Sequence, residues 1–242
     1  MCGVIGLVCS KDREDLGEKG GVLLRALQYR GYDSTGAAVQ GTDGRVDLRK
    51  SVGAPSEVVP GLGIDRMQGQ VLCGQVRWAT FGAVDDLNAQ PHEVRCHQHL
   101  YGAHNGNVTN TDAMQAWLRA EGHTLKSDND GEVVVHTVEH FFAEALKDSA
   151  LDRRQAFRQA ASRACAKLEG SFASVVVDPE TRAMIAIKRG SSLYLGVGAD
   201  ERGAFAVASS DLGAVLTQTR SLLPLKAGEM VERGAAEQVV YA

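Results

Sequence analysis

Apolar and polar positions divide the chain into a strand, a helix, several strands, three helices and a closing run of strands. Val4, Ile5, Leu7 and Val8 in "GVIGLV" predict a short buried strand. Residues 16–29 carry Leu16, Leu23, Leu24 and Leu27 at helical spacing, and the pattern stops at the glycine of "YRGYDS". "GAAVQ" and "VDLRK" read as a strand pair across the turn "GTDG". "GQVLCGQVRWAT" reads as a buried strand leading into a glycine-containing loop. "HLYGAHNGN" reads as a strand ending in a tight turn, because Asn-Gly favours positive φ.

Helices dominate the next third. Thr111 to Glu121 is predicted helical, with Thr109, Asn110 and Thr111 as candidate caps. Asp130 lies just before a second predicted helix that runs to about Leu146, its apolar stripe formed by Val134, Val138, Phe141 and Ala145. Residues 152–168 give a third through Phe157, Ala160, Ala164 and Leu168. "SFASVVVD", "AMIAIK", "SLYLGV", "AFAVAS" and "EMVER" follow as short strands. This order predicts an α+β fold of sheets covered by helices, not alternating βαβ units. No Pro/Gly/Ser-rich linker interrupts it, so one domain is expected across residues 1–242.

Composition narrows the function classes. The chain is 44% apolar and 23% charged, which is ordinary for a globular protein. A net charge of −4, with no basic run, argues against nucleic acid as a partner. No apolar stretch is long enough to span a membrane, and the N-terminus lacks signal-peptide features. Five scattered cysteines with no C-x-x-C pair suit reduced thiols, so a cytoplasmic location is expected.

The second residue carries the first candidate chemistry. Removal of Met1, favoured by a small following residue, would leave Cys2 with a free α-amino group and a thiol on one Cα. The amine can then act as the local base for its own thiol. The alternative is an apolar cysteine that merely begins a buried strand. Two histidine clusters compete. "HTVEH" (His136, Glu139, His140) fits the H-x-x-E-H zinc pattern, but no third ligand stands out, so it reads as a solvated polar face. "CHQHL" (Cys96, His97, His99) reads as a polar edge strand with at most two ligands on one face.

A dispersed set of motifs goes further. It comprises Cys2-Gly3, "RGYDSTG" at 30–36, "RWATFG" at 77–82, "HNGN" at 104–107 and "SDND" at 127–130. Arginine offers a fork for a carboxylate, aspartate suits an ammonium, and an Asn side chain beside a glycine N–H can form an oxyanion pair. Each fragment alone has a structural reading, such as an Arg30–Asp33 ion pair. Together they make a complete amidase set.

This set resembles the class II, N-terminal-nucleophile glutamine amidotransferases, in particular the glutaminase domain of the isomerizing glucosamine-6-phosphate synthases. "LQYRGYDSTGAAV", "RWAT", "HNG" and "ASSDLGAVL" carry the likeness from Cys2 to about Arg233. The resemblance implies a four-layer αββα sandwich of the N-terminal nucleophile hydrolase type. It implies Cys2 as the nucleophile, with Asn105 and Gly106 as the oxyanion hole. Arg77 would hold the α-carboxylate of L-glutamine with Thr80 nearby, and Asp130 would receive the α-ammonium. Trp78 would lie in the covering loop and Arg30 beside the nucleophile. No metal or cofactor is implied.

Three positions depart from the family pattern, with Gln75, Phe81 and Gln90 standing where histidines are common. They are expected on or near the mobile loop and the partner-facing side. In the synthases an isomerase region follows the glutaminase, whereas this chain ends at Ala242. A synthase or aminotransferase subunit in trans is therefore the expected ammonia acceptor. The competing expectation is a catalytically silent glutamine-binding subunit that keeps Met1 and so lacks the base.

Overall fold

The computed structural model describes residues 2–80, 82–233 and the backbone of 238–241. In chain order the first half contains β1 (Gly3–Arg13), α1 (Leu16–Ala26), β2 (Ser34–Gln40), β3 (Val46–Val52), α2 (Pro55–Gly61), β4 (Gly69–Arg77), β5 (His92–Val94) and β6 (Leu100–Val108). The three helices α3 (Thr111–Ala120), α4 (Asp130–Ala145) and α5 (Arg153–Lys167) come next. The rest is β7 (Gly170–Asp178), β8 (Ala183–Arg189), β9 (Tyr194–Asp200), β10 (Gly203–Ser209), α6 (Leu212–Leu216), β11 (Leu222–Leu223), β12 (Met230–Arg233) and β13 (Gln238–Tyr241).

Among the described residues the strands form two antiparallel sheets. One has the order β11-β9-β10-β1-β4-β2-β3 and the other β13-β12-β8-β7-β6-β5. Period-two side-chain alternation sorts each central strand between two cores. On β1, Ile5, Leu7 and Cys9 face α1, α2 and α6, while Val4 and Val8 face the second sheet. On β8, Ile185 and Ile187 face the helices α3 to α5, while Met184 and Ala186 face the first sheet. The result is three apolar cores separating four layers, helix-sheet-sheet-helix, as the αββα expectation required. At mid-sandwich, Gly6 lets the sheets close up: a Cβ there would lie 2.5 Å from Met184 Sδ.

Two local expectations fail. The pattern over residues 16–29 is two elements, α1 and a 3₁₀ turn at Gln28–Arg30. Asn105-Gly106 is not a turn but lies inside β6, opposite Ala173 and Phe172 of β7. Gly106 still takes the positive φ that Asn-Gly suggested, 138°, yet uses it within the ladder. A Cβ there would lie 2.2 Å from Ser171 O, so the ladder itself demands glycine. Of the candidate caps, Asn110 takes the N-cap position of α3, but its side chain ties Lys167 O and Glu169 N–H instead of capping.

Helix α5 has a full capping box, Asp152 with Gln155, and turns Ala156, Phe157, Ala160 and Ala164 inward. Phe157 is fully buried, with its ring 5.1 Å from that of Phe142 on α4. Phe157→Ala should therefore lower stability by about 3–5 kcal/mol. Urea denaturation followed by circular dichroism should show the lower midpoint with an unchanged slope.

Candidate active site

The ends of β1 and β4 bring the first group together. Gly3 pairs with Val76, so Cys2 sits beside Arg77 where both strands finish. The half-buried Cys2 Sγ lies 3.4 Å from both the N and the O of Trp78. It donates to the carbonyl and accepts from the amide, a backbone cradle for the sulfur. Burial pushes the Cys2 thiol up. The Trp78 contact and Arg77 pull it down, and Asp130 pushes it up again. Arg77 and Asp130 are thus both near enough to act electrostatically on the sulfur.

Residues 30–33 fasten this junction. Arg30 Nε donates to Cys2 O at 3.1 Å. Its Nη1 pairs with Asp211 at 3.4 Å, not with Asp33 as the purely structural reading of that fragment would have it. Asp211 also accepts from Tyr29 Oη and from Ala214 N–H at the start of α6. Asp33 instead accepts from Ala79 N–H at 2.7 Å, and its own N–H donates to Arg77 O. Gly31 makes the approach possible, since a Cβ would lie 2.5 Å from Arg77 C and 2.8 Å from Trp78 N.

Arg77 is 1% exposed and holds the following loop from inside, donating to Ala83 O at 2.6 Å and Gly82 O at 3.3 Å. Trp78 is 42% exposed, its ring 5.3 Å from that of Tyr32, and Thr80 is exposed beyond it. Phe81 lies outside the described residues, as does Met1.

The second sheet supplies the other group. Asn105 is buried on β6 beside Gly106. Asp130 opens α4, where the positive end of the helix dipole favours a carboxylate. Its Oδ2 accepts from Val108 N–H at 3.1 Å and lies 3.1 Å from His104 Nε2. Burial alone would raise the Asp130 carboxyl, but His104 and the Val108 N–H bring it below the usual range. It is therefore ionised at neutral pH.

Gln75 and Gln90 correct the expectation of a partner-facing surface, because both are buried around His104. Gln75 Nε2 donates to His104 O at 3.4 Å, joining β4 to β6 across the sandwich. Gln90 Oε1 accepts from His104 N–H at 2.8 Å, and Gln90 Nε2 lies 3.2 Å from His104 Nδ1. Gln90 thus fixes the His104 ring beside the Asp130 carboxylate. Sequence reading missed His104 and Asp33 as positioning groups, although both sit inside quoted motifs.

The two histidine motifs also differ from expectation. His136, Glu139 and His140 of "HTVEH" are buried, not solvated, because α4 packs among β5, β6, α3 and α5. Cys96 and His97 of "CHQHL" lie in the β5–β6 connection, not on a strand, and the His97 and Gln98 N–H groups donate to Glu139 Oε1.

Comparisons with known proteins bear on the family and the fold. A family of glutamine amidotransferase domains matches residues 79–216. The glutamine–fructose-6-phosphate aminotransferase (isomerizing) of Sulfolobus acidocaldarius is 34% identical over 230 residues, 95% of this chain and 36% of that protein. The enzyme of the same name from Acidithiobacillus ferridurans is 37% identical over 233 residues, 95% of this chain and 35% of that protein. The chain thus spans about a third of the length of these relatives. The solved glutamine phosphoribosylpyrophosphate amidotransferase of B. subtilis superposes with a TM-score of 0.77 at 22% identity. That match covers 99% of this chain and 49% of that one, and it bears on the fold.

Gly31→Ala should push the Arg77–Trp78 peptide off Cys2, costing about 1–3 kcal/mol as an overpacking substitution. Thermal melting should show the loss, and the rate at which iodoacetamide labels Cys2 should change with it.

Proposed function

The chain belongs to the glutamine amidotransferase family, and from that premise we propose that it hydrolyses the side-chain amide of L-glutamine through a Cys2 thioester. The observation that supports this reading is that Cys2 sits beside Arg77 where β1 and β4 end, with the Asp130 carboxylate pushing the same thiol up. Those charges match the two ends of an α-amino acid.

The steps follow from the residues. Once Met1 is removed, the α-amino group of Cys2 takes the thiol proton as sulfur bonds to the amide carbon. A thiol raised by burial needs such a base, since it does not ionise unaided at neutral pH. The carbonyl oxygen becomes an oxyanion held by Asn105 Nδ2 and the Gly106 N–H. The C–N bond then breaks, the protonated amine gives its proton to the leaving nitrogen, and ammonia departs. Water attacks the thioester, releasing glutamate and the free thiol. No metal or cofactor enters these steps.

Asp130 receives the substrate ammonium and Arg77 its carboxylate, with Thr80 in the same loop. Arg77 also binds two loop carbonyls, so the side chain that would take the carboxylate is the one that supports the loop after β4. Arg30 fixes the Cys2 carbonyl and keeps the nucleophile in register. The ammonia passes to a synthase or aminotransferase, as a separate subunit in trans.

Cys2→Ala should abolish glutamine hydrolysis with an unchanged circular dichroism spectrum. Asn105→Ala should lower kcat by about 10²–10³ and move KM much less. Intact mass of active protein should lack one methionine; turnover by protein that keeps Met1 would refute the amine as base, and inactive protein that keeps it would be the silent glutamine-binding subunit.

A further inference from the structure

Four donors from three segments converge beside α4, apart from the groups assigned above. Cys96 comes from the β5–β6 connection, His123 from the α3–α4 connection, and His136 and Glu139 from α4 itself. Their ligand atoms all lie within 4.8 Å of one another. His123 Nδ1, His136 Nδ1 and Glu139 Oε2 form a triangle with edges of 3.2, 3.1 and 3.0 Å. A tetrahedral zinc with Zn–N bonds of roughly 2.0–2.1 Å sets its donors about 3.3 Å apart. The triangle is close to that size without an ion.

An imidazole nitrogen carries either a hydrogen or a lone pair in the ring plane, never both. Without an ion, both Nδ1 hydrogens must aim at the one oxygen Glu139 Oε2, with the two nitrogens 3.2 Å apart. With both rings in the opposite tautomer, a cation at the centre takes the lone pairs of both nitrogens and of the carboxylate oxygen.

The outer partners fit that assignment. Glu139 Oε1 is occupied by the His97 and Gln98 N–H groups at 2.7 and 3.0 Å, which leaves Oε2 toward the histidines. His123 Nε2 lies 3.3 Å from His140 Nδ1, and His136 Nε2 lies 3.7 Å from Glu132 Oε1. The second nitrogen of the His123 ring thus has a hydrogen-bond partner, and a carboxylate stands near that of His136, the kind of support metal-bound histidines use. Thr124 N–H donates to Cys96 Sγ at 3.3 Å, which fixes where the sulfur sits. One thiolate and one carboxylate neutralise a divalent ion, so the assembled site is cheap to bury. A cleft of about 330 Å³ has Cys96, Thr124, Glu132 and His136 on its walls and gives an ion a way in.

We propose that Cys96, His123, His136 and Glu139 form a closed structural site for a zinc ion. Sulfur with imidazole nitrogen selects zinc over magnesium or calcium, and four protein donors leave no open position for catalysis. The ion ties α4 to the two connections that pack on it. His136 stands six residues beyond Asp130, about 9 Å along the helix axis.

The test uses the full chain carrying Cys2→Ala, because a terminal thiol and amine would chelate zinc on their own. Competition against a chromophoric chelator should give one zinc per chain. Cys96→Ser and His123→Asn should each weaken it at least about tenfold, the lower end of what loss of an outer partner costs. Cys165→Ser should leave the affinity unchanged. Cobalt in place of zinc should show a thiolate charge-transfer band that Cys96→Ser removes. Failure to bind one zinc, affinity indifferent to both ligand substitutions, or cobalt without the thiolate band would each overturn the site. Cys96 is half-buried in a connection, so its variant reads the site even if His123→Asn misfolds.

Discussion

Everything at the candidate active site depends on how closely one peptide, Arg77–Trp78, is held between its neighbours. Gly31 packs against it from one side at a distance no Cβ would permit, and the Cys2 sulfur packs against it from another. Asp33 then pins the next amide, and Arg30 pins the Cys2 carbonyl. These are hydrogen bonds to backbone atoms, so they fix the position of the chain and not merely of side chains. A charged side chain bonded to a backbone group contributes more than a neutral pair does, about 1.5–3 kcal/mol. Two such bonds at one strand end keep a terminus, ordinarily the loosest part of a chain, in register.

The second sheet answers through α4. Its N-terminus carries Asp130, and its middle carries His136 and Glu139, so one helix connects the electrostatics of the site to the convergent donor cluster. Buried on most sides, α4 holds more polar groups than a core helix can bury unpaired. Several of them are paired within the chain: Thr137 donates to Val133 O, Glu132 accepts from the Lys126 and Ser127 N–H groups and the Ser127 hydroxyl, and Asn129 caps. His92 reaches that cap at 3.3 Å, with burial pushing its imidazole down to about 3, so it meets Asn129 as a neutral ring.

The layers and most elements were legible because β1, β4, β7 and β8 are mostly apolar runs of strand length, buried on both faces, and α5 announces its cap with Asp152 and Gln155. The short elements α2, α6, β5 and β11 were not, since a few residues carry no measurable period. Asn105-Gly106 misled for a different reason. The dipeptide reports a need for positive φ but not whether a turn or a paired strand supplies it. The stripe on α4 was real, yet it could not show that the opposite face is covered too, because coverage comes from elements distant in sequence. His123 could not be joined to "HTVEH" from spacing, as its ring reaches α4 only through the fold of the α3–α4 connection.

The charges around Cys2 are opposed in a way that bears on how the sulfur reacts. Burial and the Asp130 carboxylate push the thiol up, against Arg77 and the Trp78 contact. A thiol held protonated is a poor target for oxidants, which attack thiolates. On the proposed reading, a substrate ammonium paired with Asp130 offsets the carboxylate's effect on the sulfur, and a substrate carboxylate paired with Arg77 offsets the opposite pull. A zwitterionic ligand therefore leaves the charge around the sulfur balanced, and burial keeps the thiol dependent on the amine as its base.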